Sequence, residues 1–210
     1  MPDPRAVVYI VDDDISVRES LQAMVAESGL QPEAFASAEE FLGCTRRLCA
    51  SCLVLDVSLP QLNGLELQRR LGSTQAALPI IFVTGHGDIP MTVKAMKAGA
   101  IEFLTKPFSP DELLAAIGSA VERSRGILAE QLEVQALADR YESLSGRERE
   151  VMALVVRGLL NKQVGAKLGI SEITVKAHRG QVMRKMKASS IADLVTISAR
   201  LHSPKGASSC

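Results

Sequence analysis

The chain has 210 residues, room for one large domain or two ordinary ones, and its 47% hydrophobic and 23% charged residues exclude a disordered polymer. No apolar run approaches the roughly 18 residues of a membrane span, and Asp3 and Asp12 to Asp14 exclude a basic-then-apolar leader, so no membrane association and a cytoplasmic location are expected. The formal charge of zero is unevenly spread: residues 1–108 carry 13 Asp/Glu and 9 Lys/Arg (−4), residues 109–142 carry 7 and 3 (−4), and residues 143–210 carry 4 and 12 (+8), which points to two domains and a polyanion at the basic end.

Along the first hundred residues, short β-branched runs alternate with helix-period stretches. Ala6–Val11, Ser51–Leu55, Pro79–Thr84 and Ile101–Thr105 read as strands buried on both faces, with a weaker strand at Glu33–Phe35. Ser16 with Glu19, Ser37 with Glu40, and Ser109 with Glu112 have capping-box spacing and mark helix starts; Pro110 then suits a first helical position. Five strand–helix alternations predict an α/β, doubly wound parallel sheet. Cys49-Ala50-Ser51-Cys52 has redox-motif spacing, but no Trp, Gly or Pro flanks it and a strand begins inside it. These two cysteines, with Cys44 and Cys210, read as buried or surface thiols.

From Ser109 to Glu142 apolar residues recur at Leu113, Ile117, Val121, Leu128, Leu132 and Val134, which predicts one long helix or two end to end, with Gly126 as the weak point. The remainder is helical. Ser145 with Glu148 opens a helix carrying Val151, Leu154 and Val155, which Gly158 ends. Asn161 is expected to cap the next, and Ser171, after the Gly169 turn, caps a third helix from Glu172 to Met186. Ser190 with Asp193 opens a fourth. A three-residue Gly-containing turn between the second and third of these makes a helix-turn-helix.

Open parallel sheets gather functional groups at the carboxyl ends of their strands. Here those ends hold Asp12-Asp13-Asp14, Asp56, Thr84 and Lys106-Pro107. Clustered carboxylates repel unless a cation neutralises them, and an all-oxygen donor set suits Mg²⁺. One carboxylate can then attack phosphorus while a lysine and a hydroxyl share the charge. With three histidines in the chain, no histidine-based metal site is expected, and His86 reads as a loop residue.

Val11-Asp12-Asp13-Asp14, Leu55-Asp56 followed by Leu59-Pro60 and Gly64, Thr84, and Lys106-Pro107-Phe108 resemble the receiver domain of two-component response regulators. Thr84-Gly85-His86-Gly87-Asp88-Ile89-Pro90-Met91 resembles the FixJ/NarL subgroup. The resemblance covers about residues 5–124 and implies a five-stranded, flavodoxin-like sheet. It implies Asp56 as phosphoacceptor; Asp12, Asp13, Asp56 and the Ser58 backbone carbonyl as ligands of Mg²⁺ (or Mn²⁺); Thr84 and Lys106 as partners of the phosphoryl group; and Phe103 as the switching aromatic. The Lys-Pro bond is often cis in that family. Leu59 stands where methionine is common and Gly85 where alanine is common. Asp14 reads as a cap of the first helix.

The back half, Leu144-Ser145-Gly146-Arg147-Glu148-Arg149-Glu150-Val151 and Ser171–Lys187, resembles the LuxR-type helix-turn-helix. A recognition helix sets polar side chains toward base edges and cations toward phosphates. By the resemblance Lys176 and Ala177 face base edges, with Gly180 on the same side where a basic residue is common. Thr174, Arg179, Arg184, Lys185 and Lys162 are the phosphate partners.

The expected organisation is a receiver at 1–124, a helical linker at 125–142, a four-helix DNA-binding domain at 143–204 and a tail at 205–210. The expected function is a response regulator phosphorylated by a sensor histidine kinase, activating transcription from double-stranded promoter DNA. The phosphoryl signal would pass through Thr84 and Phe103 to the face bearing the fourth receiver helix. A homodimer on phosphorylation or DNA binding is expected, with RNA polymerase as a further candidate partner. The chain is not expected to be an enzyme beyond catalysing its own phosphoryl transfer and dephosphorylation. Two rivals are weighed. A ligand-sensing LuxR-type regulator needs an aromatic-lined cavity, and this chain has five Phe, two Tyr and no Trp. A phosphohydrolase needs a second acid after its nucleophile, which Asp56-Val57-Ser58 lacks.

Overall fold

The computed structural model describes residues 5–74, 78–85 and 87–202; His86, Cys210 and the tail at 205–210 lie outside them. The chain divides into two compact units, Met1–Ala129 and Glu130–Cys210.

In the first unit, β1 (Val7–Val11), β2 (Gln31–Phe35), β3 (Ser51–Asp56), β4 (Ile80–Thr84) and β5 (Glu102–Thr105) form one sheet in the order β2-β1-β3-β4-β5. Every neighbouring pair is parallel. β2 begins two residues before the expected Glu33 and takes in Pro32. Proline cannot donate to a ladder, but β2 is an edge strand with one neighbour, so a missing amide is tolerated.

The helices are α1 (Ile15–Glu27), α2 (Ala38–Gly43), α3 (Gly64–Thr74), α4 (Ile89–Lys97) and α5 (Pro110–Glu142). Period-two alternation in the strands splits the core between the two faces. Val7, Tyr9, Val11, Leu53, Leu55 and Phe82 pack with Phe41 of α2, Leu67 and Leu71 of α3 and Ala95 of α4. Val8, Ile10, Val54, Ile81 and Val83 pack with Leu21 and Val25 of α1 and Leu113, Ile117 and Val121 of α5. Each large apolar side chain so buried contributes about 1.5–3 kcal/mol before conformational entropy is subtracted.

The helix starts differ in detail from expectation. Asp14 is the N-cap of α1, as its reading as a helix cap expected, in place of a box begun by Ser16: its carboxylate accepts from the amides of Ser16 and Val17 at 2.8 and 3.3 Å. Helix begins at Ile15, so Ser16 already lies in the first turn. Ser37 accepts from the Glu40 amide at 3.2 Å, while the Glu40 carboxylate reaches the Ala36 amide instead of that of Ser37. Ser109 and Glu112 make the full reciprocal box. Cys49 joins the core on one face of the sheet and Cys52 the core on the other, so the pair spans no redox site. Burial pushes the Cys44 and Cys49 thiols up and the Cys52 thiol up to about 12.

α5 is a single helix of 33 residues, with Gly126 inside it and no break there. In the second unit its last turns join α6 (Gly146–Val155), α7 (Asn161–Leu168), α8 (Glu172–Met186) and α9 (Ile191–His202). Leu137, Leu144, Val151, Met152, Val164, Val175, Val182, Met186 and Leu194 make their shared core. Ser145 and Glu148 form the expected capping box. Asn161 is not the cap of α7. It is already helical, Leu160 is the N-cap, and the Gln163 side chain accepts from the Leu160 amide at 2.9 Å. Gly169, at φ +67°, ends α7 in a left-handed conformation that glycine adopts without a Cβ penalty. Ser171 then caps α8 through the Thr174 amide. Among the described residues no helix is long and apolar enough to cross a membrane.

Candidate functional site: an acidic pocket and an exposed basic helix

The sheet order reverses direction at β1, between β2 and β3, which is where open α/β sheets carry their ligands. Register keeps the strand tips level, with Val11 opposite Leu55, Asp56 opposite Val83, and Thr84 opposite Thr105. The residues just past those tips therefore converge. Lys106 Nζ donates to Asp12 Oδ2 at 2.7 Å and to Asp56 Oδ2 at 2.8 Å. Carboxylate oxygens of Asp12, Asp13 and Asp56 lie within 4.8 Å of one another. Asp12 and Asp56 are buried, whereas Asp13 is exposed.

The surrounding chain fixes these groups. Asp56 Oδ1 accepts from the Ser58 amide at 2.8 Å, which holds the loop after β3 against the carboxylate. Asp12 Oδ1 accepts from the Asp14 amide at 3.0 Å, and Arg18 donates to the Asp12 carbonyl at 2.7 Å. Thr84 is fully buried, and its carbonyl accepts from the Lys106 amide at 2.7 Å. The Lys106-Pro107 bond is cis. Gly64 closes the loop behind Asp56: a Cβ there would stand 2.6 Å from the Asp56 carbonyl oxygen.

Burial pushes the Asp12 carboxyl above its ordinary range, against the pull of Lys106 and the Asp14 amide. Burial also works against the Lys106 ammonium, but hydrogen bonds to Asp12 and Asp56 and their charges outweigh it and hold Lys106 protonated to higher pH. The pocket thus has three hard oxygen donors and one cation, a donor set that fits a small divalent ion.

Phe103 is half-buried on β5, 6.1 Å from the Phe82 ring, and packs against the core of α2, α3 and α4. A Cβ on Gly87 would lie 3.0 Å from its ring. Sequence reasoning passed over Gly87, and over Asp88, whose carboxylate caps α4 through the Met91 amide at 2.7 Å. Pro90, in the first turn of α4, was the available signal for that cap.

The expected DNA-facing residues separate into two sets. Lys162, Lys176, Ala177, Gly180 and Arg184 are exposed. Thr174, Arg179 and Lys185 are half-buried and engaged within the domain. The Thr174 hydroxyl lies 2.8 Å from that of Ser171, and Arg179 donates to Asn161 Oδ1 at 3.0 Å. Lys185 donates to the Ser143 carbonyl at 3.0 Å and to buried Glu148 at 2.7 Å. The Arg179 contact ties α8 to the start of α7, and those of Lys185 tie it to the start of α6. Spacing alone could not show them, because the partners lie 18 to 42 residues away.

Comparison with known proteins agrees with both halves. Residues 8–118 match the response regulator receiver domain, and residues 142–198 match the LuxR family of bacterial regulatory proteins. The chain is 50% identical over 201 residues to the response regulator protein TodT of Pseudomonas putida F1, covering 96% of this chain and 88% of TodT. It is 53% identical over 197 residues to nodulation protein W of Bradyrhizobium diazoefficiens, covering 94% and 87%. Among solved structures, the response regulator StyR superposes with a TM-score of 0.83 at 44% identity, covering 93% of this chain and 99% of StyR. Full-length FixJ from Bradyrhizobium japonicum gives 0.54 at 39%, covering 93% and 96%. A receiver in the front half displaces the ligand-sensing alternative, and the two matched domains make a regulator with a DNA-binding output. The chain belongs to the two-component response regulators of the FixJ/NarL type, a receiver domain followed by a LuxR-type helix-turn-helix.

Proposed function

We propose that Asp56 accepts a phosphoryl group from the phosphohistidine of a sensor histidine kinase, and that this modification controls how α8 engages promoter DNA to activate transcription. The contact of Lys106 with both Asp12 and Asp56 carries this reading. An Asp56 oxygen forms the new O–P bond as the P–N bond breaks, and the electron pair leaves with the imidazole. Lys106 pairs with the charge on the transferred group, and the Thr84 hydroxyl accompanies it at the tip of β4. Asp12, Asp13, Asp56 and the Ser58 carbonyl would hold Mg²⁺ or Mn²⁺. When bound, that ion neutralises the clustered carboxylates and screens the phosphoryl oxygens from them. The same pocket, open to water, would let the receiver catalyse its own dephosphorylation.

Thr84 and Phe103 carry the change toward the face that includes α4, and pairing of two phosphorylated chains on two-fold promoter half-sites follows from symmetry. Lys162 and Arg184 supply the cations for phosphates and Lys176 with Ala177 faces base edges, while Thr174, Arg179 and Lys185 orient α8. Asp56→Asn is the decisive variant. It should abolish base-labile, hydroxylamine-cleavable phosphate uptake from acetyl phosphate or a cognate kinase while leaving the chain folded. Undiminished uptake would place the phosphoacceptor elsewhere.

A further inference from the structure

We propose that Ile173 reads the 5-methyl group of thymine in the major groove and so sets part of the DNA sequence preference of this protein. The inference deepens the DNA-binding reading and rests on α8 being the recognition helix. Val175, Val182 and Met186 are its buried stripe. Ile173, Ala177, Gly180 and Arg184 recur at i, i+4, i+7 and i+11, roughly half a turn away from that stripe, and all four are exposed. Ile173 is 80% exposed, one of the two most exposed large apolar side chains among the described residues.

A single exposed apolar residue ordinarily means nothing. This one lies in the first turn of the recognition helix, and N-terminal residues of such helices are the ones that meet base edges. Its neighbours on the outward face, Ala177 and Gly180, offer no hydrogen-bonding side chain. A Cβ on Gly180 would meet nothing within 4 Å, so the centre of this face is bare helix that can approach a groove closely. Lys176 and Glu172 flank the stripe and pair with each other at 3.4 Å. The N-terminal half of this face, at Ile173, Ala177 and Gly180, has no side chain that reads donor and acceptor patterns, and Arg184 follows a turn later. The base feature that this half can read is the thymine methyl, the apolar mark in the major groove.

The test isolates that methyl. A duplex is first selected from a random library with the full chain treated with acetyl phosphate. Each thymine in the winning duplex is then replaced in turn by deoxyuridine, which lacks only the 5-methyl. The wild-type protein should lose about fourfold in affinity at one thymine per half-site, the worth of one buried methyl-sized group. Ile173→Ala should bind the unmodified duplex about as weakly as wild type binds the uracil one, and be indifferent to uracil at that position. Ile173→Val, which keeps the branched group, should retain most of the methyl response and shows that the fold tolerates change there. If Ile173→Ala keeps the full wild-type response at every thymine, or wild type responds at none, the proposal fails while the DNA-binding reading stands. A library that yields no enriched sequence counts against the recognition helix itself and overturns both.

Discussion

At Asp13 and Glu148 single side chains carry distinct physical loads. Asp13 is the exposed member of the carboxylate trio, and no ion pair ties it to another described residue. In the proposed metal site it would serve as an oxygen donor. Asp13→Ala should leave stability nearly unchanged and raise the Mg²⁺ needed for half-maximal phosphate uptake by about tenfold or more, since even outer partners of metal ligands matter to that degree. Titrating uptake against Mg²⁺, with a chelator as the zero point, measures it. Glu148 is buried in the second unit, and the hydrogen bond from Lys185, followed by that from the Ser145 amide, holds its carboxyl below the ordinary 4.5. A depressed folded-state value means that its contribution is present above pH 4.5 and fades as pH falls through that folded value. Glu148→Gln should therefore be less stable than wild type at pH 7, and the gap should close in denaturant melts toward pH 3. A gap independent of pH would mean that the carboxylate charge contributes nothing.

At the scale of elements, two helical glycines look alike in sequence and should respond oppositely to alanine. Glycine inside a helix ordinarily costs about 0.8–1 kcal/mol relative to alanine. Gly126 in α5 has nothing within 4 Å of its missing Cβ, so Gly126→Ala should stabilise by up to about 1 kcal/mol. Gly165 in α7 would place a Cβ 2.7 Å from the Ile170 carbonyl oxygen, at the turn into α8. Gly165→Ala should thus destabilise the second unit by about 1–3 kcal/mol, with DNA affinity falling as α8 is displaced. Thermal melts of both variants decide the signs. The helix boundaries show why patterns identify elements better than caps. Capping spacing predicted the starts of α2, α5, α6 and α8 within a residue. At α1 Asp14 outcompeted Ser16, because a carboxylate one residue before the first helical residue satisfies the same amides and adds charge at the positive end of the helix.

For the whole molecule, the relevant fact is that each unit has a core of its own. Two clusters sandwich the sheet in the first, and a third, from Leu137 to Ile197, holds the second. A chain cut between Ala129 and Glu130 should yield two pieces that each fold cooperatively. The first should take up phosphate at Asp56, and the second should bind the selected DNA without needing acetyl phosphate. Calorimetry on the separate pieces, and phosphate uptake by the first, check this. A second piece that melts without a transition would show that its core is incomplete.

Much of this was legible in one dimension, because strands buried on both faces, capped amphipathic helices and a Gly turn leave periodic marks that depend only on near neighbours along the chain. The five strands, the DNA-binding helices and the identity of Asp12, Asp13, Asp56, Thr84 and Lys106 as candidates came from such marks and from the resemblance they carry. Tertiary structure alone decided what depends on distance across the chain. Lys106 is shared by Asp12 and Asp56, 94 and 50 residues away, because parallel register levels the strand tips. Lys185 is taken up by Glu148, 37 residues before it, and the outward face of α8 is left to Ile173, Ala177, Gly180 and Arg184. Spacing says which side chains share a helix face, but only packing says which face is covered and which cation already has a partner.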